Sequence, residues 1–360
     1  MLINRKLHLI RLVAISAAIW AMPFAATIAE QKKEVAVAKK LNLNFVPDNA
    51  LAVFSMKPQE VMAQDPIKPF REQLLEGVDS QFADALGIKF ADIETIRYFY
   101  LAPASGNPAE MSIAYIIQTK KQLDQSRIFK SSIKDGYTID NLSYKQSTYF
   151  GGSKKDKKER TNLAYWMFPD DYTFIVTTGK NSMHNFIDAM QRGENHQWKI
   201  QWNIIENNSL AAIIDVQKTW KIYQEMYTKM SPEDQLAALA SMGIPPSSLI
   251  MFEHVEVVSM RATFVNRLAI RATLYQNNNG EVVKKVIDDI VDQWKTLFQM
   301  AEVVEVDFDP QDPEDLGNLM MYLYAKSLSS IRTARQGENV KMMIAFPDEL
   351  VKLYFSAMNE

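Results

Sequence analysis

The chain contains no cysteine. That excludes disulfides, thiolate metal sites, thiol catalysis and a lipid carried on a leader cysteine, so stability must come from packing. Glycine is scarce too, at 12 residues in 360, about half the average usage of roughly 7%. A glycine-rich phosphate cradle is therefore not expected. Histidine occurs four times, at His8, His184, His196 and His254. None lies four residues from another or within HExxH, the pattern that sets two imidazoles on one helix face for zinc. His254 falls in a β-rich run and reads as a half-buried strand residue. No G-x-S-x-G pentapeptide shapes a serine nucleophile. A Ser–Lys pair could still meet in space.

What is present begins with the N-terminus. Residues 1–29 carry Arg5, Lys6 and Arg11 and no acid, then an apolar stretch from Leu12 to Ala29 broken by Pro23. Thr27 and Ala29 place small residues where a signal peptidase reads. This is a secretory signal by its parts. The alternatives are an uncleaved anchor, since about 18 apolar residues just span a bilayer, and a mitochondrial presequence, which the unbroken apolar run disfavours. Removing three cations takes the formal net charge from −3 to −6. A mildly acidic body is not built to grip a polyanion, so nucleic acid is not an expected partner. The expected location is periplasm, cell envelope or extracellular space, with membrane association through the N-terminal segment if the leader is retained.

Residues 30–44 are charged and read as a flexible tether. Structure is expected from Phe45-Val46-Pro47-Asp48, where a turn introduces the apolar run from Ala50 to Phe54. Strands are expected at 93–101 and 111–119, with helical periodicity at 120–129. Short strands follow around 137–150 and 162–178, then a helix at 181–190. In the second half, Val283, Val286, Ile287, Ile290 and Trp294 mark one helix face. Lys284 with Asp288 and Lys285 with Asp289 are i,i+4 pairs on its wet side. A helix is expected at 315–334, a strand at 340–346 and a last helix at 349–358.

The second half repeats the order of the first. Asn49-Ala50-Leu51-Ala52 aligns with Asn208-Ser209-Leu210-Ala211, and Leu86-Gly87-Ile88 with Met242-Gly243-Ile244, at offsets of 156 to 159 residues. The fold class expected is α/β of the α+β type. It comprises two related halves from an internal duplication, at 45–195 and 203–360, each a mostly antiparallel sheet with packed helices. The joint is expected at 192–207.

Three segments invite chemistry and have plainer readings. Asp307-Phe308-Asp309-Pro310-Gln311-Asp312-Pro313-Glu314-Asp315 lacks the Gly and Glu of a calcium loop and reads as a turn with acids at the next helix start. The run from Gly151 to Arg160, with Lys154, Lys155, Lys157 and Lys158, lacks P-loop spacing and reads as an exposed hairpin tip. Trp198, Ile200 and Trp202 alternate, so an extended segment would show all three on one face. Stacking on sugar is the functional option and packing between halves the plainer one.

Phe45-Val46-Pro47-Asp48-Asn49-Ala50, Leu86-Gly87-Ile88, Asp92-Ile93-Glu94 and Phe168-Pro169-Asp170-Asp171 together resemble motifs of uncharacterised exported proteins of planctomycete bacteria. The resemblance covers patches between residues 45 and 190. It implies an envelope or secreted location and no transferable site. The expectation is a non-catalytic binding or scaffolding protein of the bacterial cell envelope, whose partner is an unknown protein or envelope polymer. No catalytic, cofactor or metal residues are assigned. The alternatives are an exported hydrolase whose site assembles only in three dimensions and a membrane-anchored assembly factor.

Overall fold

A computed structural model describes residues 41–65, 87–103, 111–134, 136–155, 160–235, 249–264, 268–276, 279–299 and 325–348. The expected leader, most of the tether, the acidic segment at 307–315 and the helix at 349–358 lie outside the described residues. No helix among the described residues is long and apolar enough to cross a membrane.

In chain order the strands are β1 (Ala50–Met56), β2 (Ile93–Leu101), β3 (Ser112–Thr119), β4 (Tyr137–Tyr144), β5 (Ser147–Lys155), β6 (Arg160–Asp170), β7 (Thr173–Thr177), β8 (Leu210–Asp215), β9 (Val255–Thr263), β10 (Ala269–Gln276), β11 (Arg332–Gln336) and β12 (Asn339–Ala345). The helices are α1 (Pro58–Met62), α2 (Gln125–Lys134), α3 (Lys180–Arg192), α4 (Lys199–Ile205), α5 (Val216–Thr228), α6 (Leu249–His254) and α7 (Gly280–Gln299). The strands join one twelve-stranded antiparallel sheet in the order β11-β12-β10-β9-β8-β1-β2-β3-β7-β6-β5-β4. This is an α+β fold, as short turns between consecutive strands required. The strands do not close as two separate sheets, because β1 pairs with β8.

The chain divides into two compact units. Among the described residues, one takes 41–215 and 259–264 and the other the remainder. The change thus falls after β8, later than the expected joint at 192–207. That stretch is the end of α3, a loop and α4, all within the first unit.

In the first unit, side chains alternate across the sheet with period two. One face carries Val53, Phe99, Leu101, Ile116 and Ile175, each 0% exposed and brought abreast by the β1–β2, β2–β3 and β3–β7 registers. Helix α3 covers it with Met183, Phe186 and Ile187, also fully buried. These recur at three and four residues, one helical face. Phe186 packs edge-on against Phe99, ring centres 5.0 Å apart, and against Phe45 at 6.2 Å. Residues 41–44 do not trail as a tether: Leu43, like Phe45 and Val46, is buried.

In the second unit, Val283, Ile287 and Val291 of α7 pack with Val255, Leu274, Ile331 and Val340. The i,i+4 pair Lys284–Asp288 forms, at 2.5 Å, and Asp288 also accepts from the Thr333 hydroxyl of β11 at 2.6 Å. The helix expected to run to residue 334 has given way to strand by Arg332. β11 pairs there with β12, and ladder hydrogen bonds override local propensity. His254, expected in a strand, is the last residue of α6. The helix expected at 120–129 lies later, at α2, after Asp124, whose side chain accepts from Arg127 N–H at 3.1 Å and Ser126 hydroxyl at 2.7 Å as an N-terminal cap.

Candidate functional site

Strand β2 presents two different chemistries on its two faces. Arg97 points to the α3 side, while Tyr98 and Tyr100 alternate to the other. Arg97 is 5% exposed, and burial brings its pKa down to about 10 against the pull of Glu206. Its guanidinium lies over the Trp202 ring, 5.0 Å from the centroid, and donates through Nη1 to the carbonyl of Leu43.

Residues 41–46 cross this face as a strap held by side chains. Asp170 accepts from Leu41 N–H at 2.6 Å, and Gln118 Nε2 donates to Leu41 carbonyl at 2.9 Å. Arg192 donates to the Val46 carbonyl at 3.0 Å and pairs with Asp48. Asn42 donates to Glu194 at 2.9 Å. Asp170 is free to face the strap because its other bonds, to Tyr172 N–H at 2.6 Å and Thr173 hydroxyl at 2.9 Å, form the turn between β6 and β7.

Around Arg97 the hydrogen bonding is incomplete. Seven buried side-chain polar atoms of Arg97, Arg192, His196, Trp198, Gln201 and Trp202 have no hydrogen-bond partner. Buried polar groups are normally paired, so this concentration is unusual. His196 has neither ring nitrogen bonded, and burial, followed by Arg192, Arg97 and Lys199, lowers its pKa to about 4. It is held neutral among cations.

On the opposite face, Tyr115 of β3 lies 4.9 Å from Tyr98, and Tyr98 lies 5.5 Å from Tyr100, both edge-on. Phe54 of β1 extends the row at 5.9 Å from Tyr98. The Tyr98 and Tyr100 hydroxyls are hydrogen-bonded to each other, and burial raises the pKa of all three tyrosines. Tyr98 and Tyr100 are buried, whereas Tyr115 is 41% exposed. The cluster stays protonated at physiological pH and offers ring faces with hydroxyl edges.

The histidines do not converge. His184 on α3 stacks on Tyr144 with ring centres 3.9 Å apart and shares a 2.9 Å hydrogen bond with the Tyr149 hydroxyl. Beside it Lys145, at the β4–β5 turn, pairs with Asp188 at 2.8 Å. This locks a hairpin tip to α3. His254 meets Asn279 at 3.2 Å. Among the described residues no group of three or more His, Asp or Glu could hold a metal ion.

Trp198 and Trp202 do not alternate along an extended segment. Trp202 lies in α4, its N–H bonded to the carbonyl of Trp198 at the N-cap, so the four-residue spacing puts both indoles inward. They are 1% and 0% exposed, while Ile200 is 77% exposed. The basic run lies in the β5–β6 hairpin, with Lys155 opposite Arg160; residues 156–159 lie outside the described residues. Gly151 and Gly152 belong to strand β5, where Leu142 and Trp166 press close. Neither Arg97 nor the tyrosines were singled out from sequence. The available signal was a lone cation in an otherwise aromatic and aliphatic strand, Ile96-Arg97-Tyr98-Phe99-Tyr100-Leu101.

No protein-family model matches the chain, and no curated protein matches it. Among solved structures, crystal form I of the treponemal protein TP0453 is similar over 90% of this chain and 98% of that one, with a TM-score of 0.38 and 8% identity. A likeness of that degree carries no argument about function.

Proposed function

We propose that this chain is an exported, non-catalytic binding or scaffolding protein of the bacterial cell envelope. The observation that carries the reading is the tyrosine row Tyr98–Tyr100–Tyr115, with Tyr115 at 41% exposure. Tyrosine supplies large, stiff contact area with a polar edge, which suits a protein partner or an envelope polymer equally. The basic, apolar leader supports export.

The same reading includes an internal duplication. Its support is order: strand, helix, two strands and helix occur as β1, α1, β2, β3, α2 and again, with α6 added before β9, as β8, α5, β9, β10, α7. The first strands of the two series pair antiparallel, with Val53 opposite Ile213 and Phe54 opposite Ala212, the positions a two-fold relation would bring together. Planctomycete-type exported proteins remain the resemblance of choice on the motifs quoted above.

The test is a cross-linked pull-down of tagged full-length protein from its native cells, with fractionation and N-terminal sequencing. Specific envelope components recovered with the wild type and lost with Tyr115→Ser support the reading. The recovered N-terminus distinguishes a cleaved leader from an anchor. A free, cleaved protein with no partner sinks it and turns attention to hydrolase substrates.

A further inference from the structure

The strap at 41–46 is bound the way a groove binds an extended peptide. Its main chain is gripped by side chains of the body: Leu41 by Asp170 and Gln118, Leu43 by Arg97 and Val46 by Arg192. Such contacts hold a backbone whatever its side chains. Selectivity comes from Leu43, Phe45 and Val46, buried to 7%, 1% and 3% exposure. Phe45 enters the aromatic cluster through Phe186. The groove thus selects an extended segment of pattern apolar-x-apolar-apolar.

We propose that this groove also seats the strap of a second copy, so that two chains exchange their 41–46 segments and form a reciprocal dimer. The occupant on view argues for it. Every strap contact named above joins it to a residue at least 54 positions away in the chain, so none depends on the strap and groove belonging to the same molecule. An exchanged strap makes an identical set of bonds, the reason exchange is a low-cost route to dimers. The connection to β1 is short and turn-like: Pro47 carbonyl accepts from Ala50 N–H at 3.0 Å. Opened, residues 47–49 reach roughly 10 Å.

The incomplete hydrogen bonding beneath the strap adds a second argument. Arg97 and Arg192, which donate to the strap carbonyls, each keep a buried Nε without an acceptor. Lifting the strap gives these guanidinium groups water to bond, which offsets part of the cost of opening. The closed form is favoured at low concentration, because a short linker gives the chain's own strap an effective concentration on the order of millimolar. Exchange therefore rises with protein concentration. The proposal concerns the opposite face of β2 from the tyrosine row and stands apart from the partner reading.

The test uses the absence of native cysteine. Asn42 and Glu194 meet side chain to side chain, exposed, at 2.9 Å, so cysteines at the two positions lie within reach of a short bifunctional thiol-reactive linker. Full-length Asn42→Cys carrying one size tag is mixed at rising concentration with full-length Glu194→Cys carrying another, then treated with that linker. The expected result is a cross-linked heterodimer severalfold in excess of either homodimer and increasing with concentration. A synthetic peptide spanning residues 41–48 should abolish it. Phe45→Ala in the Asn42→Cys copy should remove it as well, and the peptide arm still decides the matter if that variant does not fold. The double variant Asn42→Cys/Glu194→Cys giving only an internal cross-link, with no heterodimer from mixed copies at any concentration, would overturn the proposal.

Discussion

The Arg97 guanidinium of β2 rests on the Trp202 indole of α4, 5.0 Å from the ring centre. Glu206 acts on the arginine's charge without an ion pair or hydrogen bond between them, and the arginine's acceptor is a backbone carbonyl of the strap. A buried cation held by a ring face and a carbonyl has lost its hydration without a full ionic partner. It orders the strap more than it stabilises the fold.

Arg97→Met should therefore leave the urea midpoint unchanged or higher, since replacing a buried charge by an apolar side chain of similar size is neutral or stabilising by about 1–4 kcal/mol. At the same time amide exchange at residues 43–46 should accelerate. Trp202→Ala, by contrast, empties a fully buried site and should cost about 3–5 kcal/mol. Urea titration with hydrogen exchange separates the two effects. A large loss of stability in Arg97→Met would contradict this account.

Stability should fall with acid before the carboxylates titrate. His184 and His196 both have pKa values below the ordinary 6.5, His196 at about 4, burial being the largest cause in each. The unfolded chain takes up protons first as pH drops below 6.5, so their contribution is complete above 6.5 and is lost between there and the folded values. Melting temperature measured across pH 7 to 4 should decline, and His196→Asn should flatten the slope. An unchanged profile in that variant would remove His196 from the explanation.

Gly152 lies under the Trp166 ring, and a methyl group there would overlap the indole. Gly152→Ala should destabilise by about 1–3 kcal/mol, the range for overpacking a filled site. Gly337, at φ +61° with nothing within 4 Å, makes a useful contrast. Gly337→Ala meets no clash and should cost only the left-handed backbone, about 1–2 kcal/mol. Tryptophan fluorescence should shift for Gly152→Ala alone.

Glu338, in the β11–β12 turn, accepts from Gly280 N–H at 3.1 Å and so caps α7 from outside its own helix. That bond, ahead of Arg335, lowers its pKa. Glu338→Gln should speed amide exchange in the first turn of α7 and leave its middle protected. In the wild type the same protection should be present above pH 4.5 and lost as pH falls through the lowered value.

Much of the secondary structure was legible because it rests on short-range periods. β2 and β3 follow from apolar runs bounded by turn residues, and the α7 face from Val283 and Ile287 at four-residue spacing. Failures came where long-range contacts decide. Trp198-Lys199-Ile200-Gln201-Trp202 fits period two and period four equally, and only docking beneath the sheet selects the helix. Leu41-Asn42-Leu43-Asn44 follows directly on a Lys-rich stretch and shows no period of its own, yet Asp170 and Gln118, far along the chain, hold Leu41.

The sequence by itself determined the alternation of the β-rich segments, the helix faces, the absence of thiol chemistry and the leader-like opening, all properties of neighbouring residues. Only the tertiary structure decided that β1 pairs with β8 in one twelve-stranded sheet, that Arg97 lies buried on an indole, and that three tyrosines share a face. Each of those depends on strand register between distant segments. Register is set by the combined burial of whole faces, which no local window of the chain contains.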